Sequence, residues 1–174
     1  MAESLFIEQH GDKTTKYQTL LPQIEALVRQ ESNWIANLAN VCAALKMTFD
    51  WLWVGFYVVR DDQLVLGPFQ GPLACSRIQY GKGVCGVAWQ TEQTQVVKNV
   101  EEFAGHIACS SLAKSEIVIP IHNPARKVIG VLDIDSSEYA AFDEVDQHFL
   151  EQLIYILQRT KFSVELAVYC DVFP

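Results

Sequence analysis

The chain has 174 residues, half of them apolar, a formal net charge of −8 and a pI near 4.9. That length supports one hydrophobic core, and the acidic balance argues against a phosphate-backbone partner, so no nucleic acid is expected. No stretch approaches the roughly 20 apolar residues of a membrane span, and the start, Met1 to Glu8, has neither a cationic region nor a long apolar one. No membrane association and no signal peptide are read, which points to the cytoplasm.

Residues 1–14 are polar and mixed and read as an N-terminal arm. Leu20, Ile24, Leu27 and Val28 recur at helical spacing within Lys16 to Gln30. Pro22 sits inside that pattern, so the helix is expected to start near Leu20 or to kink. Trp34, Leu38, Val41, Cys42 and Leu45 predict a second helix, capped by Ser32 or Asn33. Cys42 lies on its apolar face and reads as a small buried hydrophobe.

The period then changes to two. Trp51 to Val59 predicts a strand with Trp53 and Tyr57 on one face. Asp61-Asp62 makes a turn into a strand from Gln63 to Gly67, and the Gly- and Pro-bearing stretch 67–82 is expected to be irregular. A short helix should follow Gly83, then a strand over Gln95 to Val100 and a loop over 101–115. Glu116 to Ile121 and Lys127 to Asp135 predict a hairpin around the turn 122–126. On the second of these strands, Ile129, Val131, Asp133 and Asp135 share a face. Asp143, Glu144 and Asp146 suit the start of a last helix whose buried face is Val145, Phe149, Leu153, Ile156 and Leu157. Helices, antiparallel strands and a closing helix make an α+β arrangement.

Three residue groups bear on chemistry. The hairpin brings Glu116 to the 133–135 end, where Asp133 and Asp135 stand about 7 Å apart. Three carboxyl groups at one rim can bind an ammonium group, supply a proton or hold a cation. Asp133 and Asp135 fit equally a strand running out into solvent.

The chain has five cysteines, an odd count that fits a reduced protein better than a disulfide framework. Cys75, Cys85 and Cys109 fall in the middle of the chain. Cys85 sits near a helix start beside Lys82, and both are expected to lower its pKa. Cys109 lies in a polar loop with His106 and Lys114, a better setting for a nucleophile than that of Cys42. His106 reads equally as an ordinary surface histidine. Cys75, Cys85, Cys109 and His106 also count to four zinc ligands, but no Cys-x2-Cys knuckle is present, and no metal is expected.

Trp53-Val54-Gly55-Phe56-Tyr57, the spacing of Cys75, Cys85 and Cys109, Glu116, and Gly130-Val131-Leu132-Asp133-Ile134-Asp135-Ser136 together resemble the free methionine-(R)-sulfoxide reductases, which are stand-alone GAF domains. The resemblance runs from about Tyr17 to Thr160. It implies a GAF fold over 15–160, with an antiparallel sheet of about six strands and helices packed on it, and a homodimer. It implies reduction of free L-methionine-(R)-sulfoxide, with Cys109 attacking, Cys75 resolving, and Cys85 able to share the disulfide. Trp53 and Tyr57 would line the substrate pocket, and Glu116, Asp133 and Asp135 would hold the substrate and its developing charge. No metal or organic cofactor is implied, and thioredoxin or another dithiol would be the reductant. The alternative is a GAF module that senses a small molecule without turnover. The C-terminal tail, 161–174, lies outside the family pattern, and its Cys170 reads as an accidental thiol.

Overall fold

The computed structural model describes residues 5–8, 10–107 and 111–159. Cys109, Cys170 and the tail 161–174 lie outside the described residues. Six strands form one antiparallel sheet: β1 Trp53–Arg60, β2 Gln63–Gln70, β3 Arg77–Gln79, β4 Gln95–Val97, β5 Ser115–His122 and β6 Val128–Ser136. Their spatial order is β3-β2-β1-β6-β5-β4. This agrees with the α+β architecture implied by the resemblance. α2 Trp34–Phe49 and α4 Glu144–Gln158 pack on one face of the sheet, and α1 Lys13–Gln30 packs on both of these helices. α3 Gly83–Thr91 packs against β3, β4, β5 and β6 and covers part of the other face.

The two faces hold separate cores, as strand alternation requires. Val54, Phe56, Ile117, Ile119, Leu132 and Ile134 join the helix layer. Trp53, Tyr57, Val118 and Val131 join Val84, Cys85 and Ala88 of α3. Ile129 departs from its expected face and packs with the helix layer. The cause is an irregularity where β5 meets the start of β6: Ile121 pairs with Gly130 and His122 with Val128, so the register shifts by one residue at Ile129. Gly130 has its own reason: a Cβ there would lie 2.6 Å from the Tyr57 carbonyl oxygen, so only glycine lets β6 approach β1 this closely.

α1 starts at Lys13, capped by the Asp12 side chain, and continues through Pro22. Proline removes the hydrogen bond to the carbonyl four residues earlier, on Gln18. Both residues are exposed, so that carbonyl faces water. Gln23 adds a local tie, donating from its side chain to the Thr19 and Phe6 carbonyls. β2 likewise runs past Gly67 and Pro68. A bulge between the pairs Gly55–Phe69 and Tyr57–Leu66 absorbs the proline. β3, within the stretch expected to be irregular, pairs only with Gln63 to Val65. The strand expected over Gln95 to Val100 ends at Val97, and a 3-10 turn follows at Val100–Glu102.

Asn33 caps α2, and Cys42 is fully buried on that helix, its thiol donating to the Pro68 carbonyl at 3.3 Å. On α4, Leu150 and Ile154 are buried, whereas Val145, Phe149 and Ile156 are only partly covered. The buried stripe is rotated because Asp146, fully buried, faces α1. Its carboxylate accepts from Lys13 and from the Tyr17 hydroxyl at 3.0 Å, and closes a capping box with Asp143. Lys13 also donates to the Ala141 carbonyl at 2.7 Å.

Removing one partner strands the rest of this network. Asp146→Ala should lower stability by about 2–3 kcal/mol, the value for breaking a buried pair discounted for the partial exposure of Lys13. Urea unfolding should show a lower midpoint with an unchanged slope. A shift below about 0.5 kcal/mol, typical of a surface substitution, would show that the network is not a clamp between α1 and α4.

Candidate functional site

The sheet delivers its chemistry at one end of β1, β6 and β5. Asp133 pairs with Gly55 on one side and Val118 on the other, while Asp135 pairs with Trp53 and Glu116. Register alone therefore gathers Trp53, Glu116, Asp133 and Asp135, and Tyr57 lies two pairs further along on the same face. Glu116 and Asp133 are 6% and 7% exposed. The sequence left open whether Asp133 and Asp135 were hydrated. The segment 72–74, α3 and His106-Ile107 roof this end and close it into a pocket.

Trp53 forms one wall. Its ring stacks on Phe69 at 5.5 Å and on Tyr57 at 5.9 Å between centroids. It lies across Gly55, where a Cβ would come within 2.2 Å of the ring. Glycine at position 55 is thus what lets the indole lie over β1, next to Asp133. The Tyr57 hydroxyl donates to the Cys75 carbonyl at 3.1 Å and fixes the chain beside the pocket.

The electrostatics follow from burial without a cation. No lysine or arginine lines the pocket among the described residues. Burial pushes the Asp133 carboxyl up to about 6. Burial and then the neighbouring carboxylates hold Glu116 well above the ordinary range, and burial and then Asp133 do the same for Asp135. Two buried polar atoms here have no hydrogen-bond partner, Trp53 Nε1 and Asp133 Oδ1. One is a donor and the other an acceptor, and leaving such groups unpaired costs roughly 1–3 kcal/mol each. A ligand with both an acceptor and a donor would satisfy them.

Cys85 corrects its sequence expectation. Lys82 and the start of α3 do not lower its pKa. Burial first, then Asp133 and Glu116, raise it well above the ordinary value, so it is a neutral thiol. Its Sγ lies 4.0 Å from Glu116 Oε1, inside the carboxyl cluster. Cys75 is disulfide-bonded, while Cys42 and Cys85 are free thiols. A zinc site that includes Cys75 is incompatible with that disulfide. His106 had no assigned role in the sequence. Its Nε2 stands 4.0 Å from Glu116 Oε2, and partial burial lowers its pKa. Leu73, Ile78, Val84 and Ile107 complete the apolar lining and carried no signal in the sequence.

A six-stranded antiparallel sheet, with a helix layer behind and a pocket under a short helix in front, is the layout of a GAF domain. The family model described as a GAF domain matches residues 37–158. The chain is 56% identical over 158 residues to GAF domain-containing protein A of Dictyostelium discoideum, covering 90% of this chain and 99% of that protein. It is 43% identical over 151 residues to the free methionine-R-sulfoxide reductase of Saccharomyces cerevisiae, covering 82% and 84%. The X-ray structure of free methionine-R-sulfoxide reductase from Neisseria meningitidis, in complex with its substrate, matches with a TM-score of 0.89 at 50% identity, covering 95% of this chain and 99% of that one. The chain belongs to the free methionine-R-sulfoxide reductase family of GAF domains.

The carboxyl cluster sets a pH dependence of stability. Each group has a folded pKa above its unfolded one, so the folded state keeps protons that the unfolded state has lost. Stability is then greatest below the unfolded value and falls as pH rises through the folded one. For Asp133 the window runs from 3.8 to about 6, and Glu116 and Asp135 extend it upward. The urea midpoint should fall as pH rises across this window, and Asp133→Asn should flatten the fall. A rising midpoint in the wild type would contradict the buried, cation-free cluster.

Proposed function

We propose that this chain reduces free L-methionine-(R)-sulfoxide to L-methionine by thiol chemistry. One observation carries the reading. Buried carboxyl groups with raised pKa values, one bearing an unpartnered oxygen, face an aromatic wall beside a disulfide-bonded cysteine. An acidic pocket suits the ammonium of a free amino acid, which a methionine inside a protein lacks. Trp53 and Tyr57 suit the methyl and thioether groups.

A sulfoxide sulfur is electrophilic only when its oxygen is protonated or strongly hydrogen-bonded. In this reading the Cys109 thiolate attacks the sulfur while a carboxylic acid of the cluster, Glu116 or one of the aspartates, protonates the oxygen. The protonated oxygen passes to the Cys109 sulfur as the sulfur–oxygen bond breaks, and the transient bond between Cys109 and the substrate sulfur cleaves with its electron pair left on that sulfur; methionine leaves as the reduced thioether and Cys109 remains as the oxidised sulfenic acid. The Cys75 thiol condenses with it, releasing water and forming a disulfide. An external dithiol, thioredoxin, restores both thiols by exchange. The disulfide at Cys75 supports Cys75 as the resolving thiol, and burial and neutrality count against Cys85 in that role. The chemistry needs no metal or organic cofactor. A sensor module without turnover would leave the thiols unused. The same reading places the protein in a reducing compartment, the cytoplasm, as a homodimer.

Purified protein with thioredoxin, thioredoxin reductase and NADPH should consume free methionine-(R)-sulfoxide, and should leave the (S) epimer and peptide-bound sulfoxide untouched. Cys109→Ser should abolish turnover, and Glu116→Gln should lower kcat by about 100-fold or more, the usual contribution of a general acid. Mass spectrometry after one turnover should find Cys75 bridged to Cys109. An inert wild type sinks the reading, and an active Cys109→Ser variant removes the nucleophile assignment.

A further inference from the structure

Cys85 is unused in the reaction above, yet it is buried inside the cluster that the reaction needs. Its Sγ, a Glu116 carboxyl oxygen and an Asp133 carboxyl oxygen lie within 4.8 Å of one another. All three side chains are more than nine-tenths buried. Asp133 Oδ1 has no hydrogen-bond partner. A fourth donor stands beside them, His106 Nε2, 4.0 Å from Glu116 Oε2. We propose that Cys85, Glu116, Asp133 and His106 form an inhibitory site for a thiophilic divalent cation such as zinc, which occupies the pocket in competition with the amino-acid ligand.

The donor set is the argument. One sulfur, one imidazole nitrogen and two carboxylate oxygens are ligands that tetrahedral zinc accepts, at bonds of about 2.0–2.3 Å. Four such bonds place donors roughly 3.3–3.8 Å apart, so Cys85, Glu116 and Asp133 close on an ion by shifts of about 1 Å, while His106, near Glu116 alone, moves further to complete the set. The Cys85–Glu116 separation of 4.0 Å is already close to that range. Hard cations that prefer six or more oxygens fit poorly, because sulfur and nitrogen take two of the four positions. Binding exchanges protons for metal: the Cys85 thiol proton and any carboxyl proton pass to solvent as the metal–ligand bonds form. The ion then fills the space that an ammonium group would take, which ties the inhibition, though not the metal binding, to the proposed substrate.

Cobalt tests both parts without an activity assay. The protein is used with its Cys75 disulfide intact, so that Cys75 is not a ligand. Cobalt(II) should bind one per chain with the visible bands of a tetrahedral ion and a thiolate charge-transfer band, and zinc should displace it. Cys85→Ser should lose the charge-transfer band, and Cys170→Ser should keep it. Methionine-(R)-sulfoxide should weaken cobalt binding in proportion to its concentration. No stoichiometric binding, or a band that survives Cys85→Ser, overturns the site. A band that depends on Cys85 but ignores saturating sulfoxide overturns the competition and leaves the metal site standing. The thioredoxin-coupled assay, run free of added metal, judges the proposed reaction separately.

Discussion

Two buried carboxyl groups and a third that is half-buried meet at one end of the sheet, with no lysine or arginine among the described residues that line their pocket, and they set the terms for this structure. Each would lose several kcal/mol of solvation if it stayed ionised and unpaired there. The alternatives are a proton or a cationic partner, and the raised pKa values express the first of these. A protein gains nothing in stability from such a cluster. Its persistence makes sense only if the pocket spends part of its time holding something, and the unpartnered Asp133 Oδ1 and Trp53 Nε1 mark where that would sit.

The rest of the fold supplies the rigidity this requires. The helix layer behind the sheet carries most of the apolar burial, and its aromatic contacts run from Tyr17 through Phe49 to Trp51. Lys13, Tyr17 and Asp146 tie α1 to α4 through a satisfied polar network. That network contrasts with the pocket. Both contain buried acid, but Asp146 has a lysine, a hydroxyl and a backbone N–H, whereas Asp133 keeps an empty lone pair. The same side chain is satisfied in one place and left with an unmet acceptor in the other because of what surrounds it. Strand register makes the second environment, since Asp133 is held between Gly55 and Val118 in the middle of the sheet.

Much of this was legible in the sequence, where a period governed the outcome. Trp53 and Tyr57 share a face because alternation holds across the middle of β1, and Glu116 meets Asp135 because the hairpin turn fixes its register. The misses arise where a local rule met a tertiary one. Pro22 does not break α1, because its lost hydrogen bond falls on the solvent side. Pro68 is absorbed by a bulge, and Ile129 changes face at another. Cys85 is the most instructive. A nearby lysine and a helix start suggested a reactive thiolate, but nothing in a linear sequence shows that the side chain will point down among carboxyl groups. The partner of His106 was hidden for the same reason: Glu116 is ten positions away and reached only through the fold.

The Cys85 environment also explains how the labour must be divided among the thiols. Sulfoxide reduction asks for two groups in opposite states at once, a carboxyl that still holds its proton and a thiol that has lost its own. A buried acidic pocket favours the first and penalises the second, through the same desolvation and the same negative neighbours. A thiol inside the cluster is therefore a poor nucleophile for the very reason that the cluster is a good proton store. In the proposed reaction the attacking thiol therefore comes from outside it. That requirement agrees with the attacking role that the resemblance implies for Cys109, and it leaves Cys85 for a different kind of ligand.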